Sequence, residues 1–185
     1  MPEVPEILNS KTLATTRFFH VEQRDLKFSN GVEVQYERLL GSEQGAVLIL
    51  PMLDADTVLL IREYAAGMHR YELALPKGKV EVGEDVLEAG NREIMEEVGY
   101  AANKLTLLRS LTMAPGYVRA EMHVVVASDL YPKRCSGDEP EEIEVVPWKL
   151  SRLPELLQRE DVTEARSIAA LFLLREGLQR NEISL

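Results

Sequence analysis

The sequence predicts an α/β domain preceded by an antiparallel β-hairpin, and three observations lead there. Aliphatic runs such as VLILP at 47–51 and HVVVA at 123–127 have strand length and are bounded by turn residues. A glycine-rich turn opens a helix with one apolar and one acidic face between Gly78 and Tyr100, and two helical patterns close the chain. Composition adds a boundary: 185 residues with 45% hydrophobic content allow one main domain with a real core. We divide the chain into 1–44, a lead-in and hairpin, and 45–185, the main domain.

Residues 1 to about 16 carry Pro2 and Pro5 and read as an irregular lead-in. Residues 18–28 and 32–40 read as two strands joined by the turn chemistry of Ser29-Asn30-Gly31. A lone hairpin is marginal, so it should pack on the main domain or on another subunit. Residues 45–53 and 57–64, separated by Asp54-Ala55-Asp56, read as a buried hairpin. Arg62, Glu63 and Tyr64 then fall where the second strand leaves the core. We read Arg62 as a phosphate or ribose contact, and Glu63 equally as a salt-bridged strand end. Residues 105–113, 122–128 and 145–148 read as further strands. His123 heads one of them and is explained by packing and a hydrogen bond more simply than by catalysis. The segment 136–144 is acidic and rich in turn residues. It is either a solvated loop or a mobile one that brings Glu139, Glu141 or Glu142 to a substrate. Residues 151–158 and 163–179 read as helices capped by Ser151 and Thr163, with Ile168, Leu171, Phe172 and Leu178 facing the core.

The stretch GKVEVGEDVLEAGNREIMEEVGY at 78–100 carries the chemistry. Asp85 is placed to cap the helix. At about 100° per residue, Glu93, Glu96 and Glu97 share one arc beside an apolar arc of Leu87, Ile94 and Val98. Glu93 and Glu97 set like charges one turn apart, a cost of a few tenths of a kcal/mol on a bare helix that a hard divalent cation reverses. Ala89 and Gly90 would leave room beside the carboxylates for a bound group. An ordinary solvated acidic helix is the bland alternative, and the spacing argues against it.

Gly78, Glu84, Arg92, Glu93, Ile94, Glu96, Glu97 and Gly99 stand at the fixed positions of the Nudix box, with Tyr100 the one departure, in the final aliphatic slot. The chain thus resembles the Nudix hydrolase family. The resemblance implies an α/β/α sandwich whose mixed sheet lies between the box helix and the C-terminal helices. It implies metal-dependent cleavage of a diphosphate, with Mg²⁺, or Mn²⁺ or another divalent ion, held by Glu93, Glu96, Glu97 and the Lys77 backbone carbonyl. Arg92 would pair with glutamates such as Glu84 to orient these ligands. Pro115, sixteen residues after Gly99 in MAPGY, resembles the substrate loop of relatives that cleave ADP-ribose, with Tyr117 in the same loop. Many of those carry a glutamate five residues after the proline; here that position is Ala120, and Glu121 follows it.

Features outside the box, among them FSNGV, LIREYA, SLTMAPGY and GDEPE, resemble the group of the family acting on ADP compounds. They imply a homodimer that hydrolyses ADP-ribose, NADH and diadenosine polyphosphates. In such enzymes the N-terminal sheet builds the dimer and part of the nucleoside pocket. Arg38 and Tyr36 are placed to reach an adenosine, though packing accounts for Tyr36 as well. The general base stays open between Glu121 and the 136–144 loop, represented by Glu139. Two alternatives remain: a sugar-nucleotide hydrolase of the GDP-mannose type, and a nucleotide sensor without catalysis. A formal net charge of −10 argues against nucleic-acid and membrane-surface partners. The single cysteine, Cys135, and the acidic N-terminus fit a cytoplasmic protein.

Overall fold

A computed structural model describes residues 2–137 and 139–185. Met1 and Asp138, which fall in the expected lead-in and acidic loop, lie outside the described residues. The chain forms two compact units, one of residues up to Gly45 with Thr112–Glu121, the other of Ala46–Leu111 with Met122–Leu185. Thr112–Glu121, which the sequence reading leaves inside 45–185, packs with the N-terminal strands.

In the first unit, β1 (Glu6–Thr15), β2 (His20–Lys27) and β3 (Glu33–Leu40) form an antiparallel meander. The β2–β3 hairpin turns where expected, with Gly31 at φ +84° and the Phe28 amide donating to the Val32 carbonyl at 2.9 Å. The irregular lead-in is corrected: β1 pairs with β2 from Glu6 to Thr15. Pro2 and Pro5 precede the strand and do not interrupt it. Every residue of β1 is exposed, and its register shifts twice, so no buried face leaves a period-2 signal in the sequence. Val118–Arg119 (β9) adds a short parallel edge to β3.

The second unit holds β4 (Ala46–Pro51), β5 (Thr57–Ala65), β6 (Arg70–Ala74), β7 (Lys77–Lys79), β8 (Tyr100–Thr112), β10 (Glu121–Pro132) and β11 (Glu144–Lys149). They make a mixed sheet ordered β7-β4-β10-β8, parallel between β4 and β10, and an antiparallel sheet β11-β5-β6. The expected hairpin of residues 45–53 and 57–64 does not form. The chain turns at 53–57 with a single bridge, Met52 to Val58, and the two strands enter different sheets. Both are buried on both faces, which apolar runs without alternation signal equally well for a hairpin or for two central strands.

Alternation along the backbone distributes those side chains between two cores. Leu48, Leu50, Val58 and Leu60 pack with Leu153, Leu156, Leu171 and Leu174, whereas Val47, Ile49, Leu59 and Ile61 pack with Ala89, Ile94 and Val98. The box helix α1 (Val86–Glu93) therefore covers one face, and the C-terminal helices α2 (Leu153–Leu156) and α3 (Ala165–Gln179) cover the other. This is the α/β/α sandwich with a mixed sheet. No helix of the described residues is long and apolar enough to cross a membrane.

Several local expectations change. Ala89 and Gly90 face the core: a Cβ on Gly90 would lie 3.6 Å from Ile49 and Val125, so the small residues bring the helix close to the sheet and leave no room for a ligand. Ser151 does not cap a helix; its hydroxyl and amide bind the Asp56 carboxylate at 2.8 Å. Thr163 binds Glu72, and the cap of α3 is Glu164, which accepts from the Arg166 and Ser167 amides. Phe172 is exposed and lies under the Arg175 guanidinium, 4.6 Å from the ring centroid. His123 makes the expected structural contact, with Nδ1 2.8 Å from the Ser110 hydroxyl.

The 3.6 Å contacts at Gly90 are ordinary van der Waals distances. Gly90→Ala is thus expected to be tolerated and to raise stability by up to about 1 kcal/mol through helix propensity. Gly90→Leu should lower it. Denaturant unfolding of the two variants checks this, and a destabilised Gly90→Ala would show that the helix sits closer to the sheet than described.

Candidate active site

The box residues take their places from the backbone around them. Asp85 caps α1 by accepting from the Leu87 amide at 2.8 Å, as the sequence anticipates. At Ile94 the helix widens into a π-turn, Ile94–Val98, which closes with the Gly99 amide donating to the Ile94 carbonyl at 2.9 Å. Gly99 ends it in the left-handed conformation, φ +81°. The regular spacing assumed from sequence thus holds only to Glu93.

Arg92 is the hub of the site. Its Nε and Nη2 donate to the two oxygens of Glu84 at 2.9 and 3.2 Å, and Nη2 also reaches the Lys79 carbonyl at 2.9 Å. Its Nη1 donates to Glu93 at 2.7 Å and to Glu96 at 3.3 Å. The Lys77 amide donates to Glu97 Oε2 at 3.0 Å, and the Lys77 ammonium is ion-paired with Glu63. Gly78 is required for space, because a Cβ there would lie 1.9 Å from Glu93 Oε1.

Glu93 and Glu97 are only 8% and 3% exposed. Burial raises the Glu97 carboxyl to about 8, partly offset by the Lys77 charge and amide. Burial also raises Glu93, against the pull of Arg92. The Arg92 hydrogen bonds hold Glu84 below the usual carboxylate range, and Glu84 in turn raises Arg92. Glu93, Glu96, Glu97, Arg92 and Lys77 line one cavity of about 660 Å³, which Glu139 also lines.

A NUDIX domain family model matches residues 43–172. The chain belongs to the Nudix family. A model of the NudE-type Nudix hydrolase N-terminal domain matches residues 5–38. The chain is 51% identical to the ADP compounds hydrolase NudE of Escherichia coli (strain K12), over 95% of this chain and 94% of that protein. It is 29% identical to an ADP-ribose pyrophosphatase of Bacillus subtilis (strain 168), over 93% and 97%. A crystal structure of an ADP compounds hydrolase superposes with a TM-score of 0.92 at 49% identity, covering 98% of this chain and 97% of that one.

Nudix hydrolases generally use divalent cations, and the donor chemistry here fits one. Glu81, Glu93, Glu96, Glu97 and Glu139 line the cavity, Glu93 and Glu97 among them buried with raised pKa values, and oxygen donors are what hard cations take. Among the described residues, no group of three or more His, Cys, Asp or Glu is gathered closely enough to hold a metal as it stands. Arg92 draws on Glu93 and Glu96, and the Lys77 amide draws on Glu97, so these donors compete with a cation for the same oxygens.

The other residues singled out from sequence lie elsewhere. Arg38, Pro115, Tyr117 and Glu121 line a separate cavity of about 510 Å³ within the first unit. There Arg38 is paired with Glu22 at 2.7 Å. Arg62 is ion-paired with Glu144 at 2.7 Å and Asp161 at 2.6 Å, so the expected phosphate or ribose has to compete with two acids for its guanidinium. The strand-exit pattern could not reveal this, because both acids lie far along the chain. Sequence reasoning also missed the Lys79 carbonyl that anchors Arg92, since main-chain groups leave no trace in side-chain patterns. It saw Glu63 as a salt-bridged strand end but not its partner, Lys77.

Gly78→Ala should fold with stability within about 1 kcal/mol of the parent, because the atom in the way ends a flexible side chain. It should nevertheless displace the Glu93 carboxylate and lower turnover at least tenfold, a loss of about 1.4 kcal/mol. Steady-state kinetics beside a melting curve check it; full turnover in the Gly78→Ala variant would overturn this account of the glycine. Asp161 gives a second expectation. Hydrogen bonds from Arg159 and Arg62 hold its carboxyl well below its ordinary value of 3.8. The stability it contributes is present above that value and lost as pH falls through the folded-state one. Asp161→Asn should therefore flatten the fall of the urea midpoint at acid pH.

Proposed function

We propose that this Nudix chain hydrolyses the diphosphate linkage of ADP-containing compounds and releases AMP. The observation that carries the reading is the cavity in which Glu93, Glu96 and Glu97 meet Arg92 and Lys77 around Gly78. The names of the relatives, ADP compounds hydrolase and ADP-ribose pyrophosphatase, support the substrate class. We extend it to ADP-ribose, NADH and diadenosine polyphosphates.

In this reading Glu93, Glu96, Glu97 and the Lys77 carbonyl hold Mg²⁺ or a similar cation. When bound, it supplies charge compensation for the diphosphate oxygens and acidifies a water. Arg92, fixed by Glu84 and the Lys79 carbonyl, orients Glu93 and Glu96. Glu139, which lines the same cavity, takes the proton from the attacking water. The oxygen of that water bonds to phosphorus, the bridging P–O bond breaks, and the leaving phosphate departs with the electron pair. ADP-ribose and water give AMP and ribose 5-phosphate. Glu121 serves the first-unit cavity instead, and Arg38, Pro115 and Tyr117 take up the nucleoside there. Exposed Phe18 and Phe19 on that unit support a homodimer, since a second copy covers such apolar surface. Cys135 as a lone thiol supports a cytoplasmic setting.

The decisive experiment incubates the protein and Mg²⁺ separately with ADP-ribose, NADH, diadenosine triphosphate and GDP-mannose, and resolves the products. AMP from the adenine compounds with GDP-mannose largely intact is expected. Preferential cleavage of GDP-mannose would overturn the substrate class, and no cleavage of any compound would revive the sensor reading. Glu97→Gln should lower kcat on the order of a hundredfold or more while leaving the melting curve intact. Glu139→Ala should lower kcat by about 10²–10⁴, the range of a general base, and Glu121→Ala much less.

A further inference from the structure

Beside the Arg62–Glu144 pair, the β5–β6 hairpin reaches the acidic residues 139–144 through a side-chain hydrogen bond that the box chemistry leaves unexplained. The Tyr71 hydroxyl donates to Glu141 Oε1 at 2.6 Å, across seventy residues of sequence. Tyr71 lies opposite Tyr64 on β5, and the two rings meet edge-on with centroids 5.8 Å apart. Tyr64 is fixed in turn, its hydroxyl 2.6 Å from His69 Nδ1. The tyrosine that reaches Glu141 therefore packs against an aromatic partner that is itself hydrogen-bonded.

Glu141 is separated from Glu139 only by Pro140, whose ring fixes φ near −65° and stiffens the link between them. Glu139 lines the box cavity. A second cavity of about 480 Å³ is lined by Glu139, Glu141 and Glu96 together, so the tethered segment meets Glu96 in both cavities. An exposed chain rich in glutamates next to three buried or half-buried carboxylates is repelled by them. The Cys135 amide, donating to the Met95 carbonyl at 3.0 Å, holds the chain before it and Arg62 holds Glu144 at its end, so the stretch carrying Glu139 has Tyr71 as a tether between them.

We propose that Tyr71 is a positioning residue that holds Glu139 at the box cavity by hydrogen bonding to Glu141. The proposal rests on the reading of Glu139 as the general base for its kinetic consequence, and on the Tyr71–Glu141 contact alone for its structural one. The same contact raises the Tyr71 hydroxyl above its ordinary pKa, so it remains a donor throughout the working range.

The test uses the full-length protein with Mg²⁺ and ADP-ribose. Tyr71→Phe keeps the ring against Tyr64 and removes only the hydroxyl; kcat is expected to fall about tenfold with KM within about twofold. Glu141→Ala should match it. Glu141→Gln, which retains an acceptor oxygen for the hydroxyl, should restore most of the parent rate. In a Glu139→Gln background, Tyr71→Phe should change kcat less than about twofold, because the group being positioned is already gone. An equal loss in both backgrounds, or no loss in Tyr71→Phe alone, would overturn the proposal. Hydrogen exchange of the amides of Glu139, Glu141, Glu142 and Ile143 reads the tether without reference to activity. Faster exchange in Tyr71→Phe and Glu141→Ala, but not in Glu141→Gln, supports it even if Glu139→Gln turns over normally and the base lies elsewhere. Unchanged exchange in all three refutes it.

Discussion

Two glutamates held almost out of water within a single helical turn are the constraint on which the rest of the second unit depends. An isolated buried carboxylate is neutralised or expelled, so each needs donors close by. Glu93 receives them from Arg92, and Glu97 from the Lys77 amide. Those donors must themselves be held. Arg92 is fixed at its far end by Glu84 and the Lys79 carbonyl, and the Lys77 side chain by Glu63. A chain of contacts thus runs from β5 through β7 to the helix, and each link exists because the next one is charged and shielded.

That chain can be precise only because the helix carrying it is pressed against the sheet. Ala89 and Gly90 allow the approach, Ile94 and Val98 fill the core beneath, and alternation along β4 and β5 supplies apolar side chains to both helical layers at once. The unit therefore has little freedom to tilt the box helix without disturbing either core. The π-turn changes the spacing of the box glutamates. It widens the helix at Ile94, so that Glu97 sinks to the Lys77 amide while Glu96 stays half exposed.

The sequence was legible where one face differs chemically from the other. The box helix and its Asp85 cap, the aliphatic strands, the β2–β3 turn at Gly31 and the Nudix spacing all carry such contrast. It was illegible where burial was uniform or absent. β1 is exposed along its whole length, and β4 and β5 are buried on both faces, so neither the extra strand nor the division between two sheets leaves a periodic mark. Partners distant in sequence were equally hidden, as with Arg62 and its two acids, or Tyr71 and Glu141. Capping failed at Ser151 and Thr163 for a related reason: a hydroxyl near a helix start binds whichever group the tertiary fold brings closest, here Asp56 and Glu72.

The three box glutamates look equivalent as a sequence pattern, and their surroundings make them unequal. Glu93 and Glu96 share the Arg92 guanidinium, so an incoming cation there must replace a charge already present. Among the described residues Glu97 has the Lys77 amide as its hydrogen-bond donor, with the ammonium of the same residue drawn towards Glu63. It is also the most deeply buried of the three. A carboxylate that is desolvated and least compensated gains most from a divalent cation. On the metal-bound reading proposed above, Glu97 would accordingly contribute most to the affinity, while Arg92 would set the orientation of the other two. One sequence pattern thus divides into a deeply buried glutamate and a pair held by a shared guanidinium, a distinction created by Arg92 and Lys77 and not by the glutamates themselves.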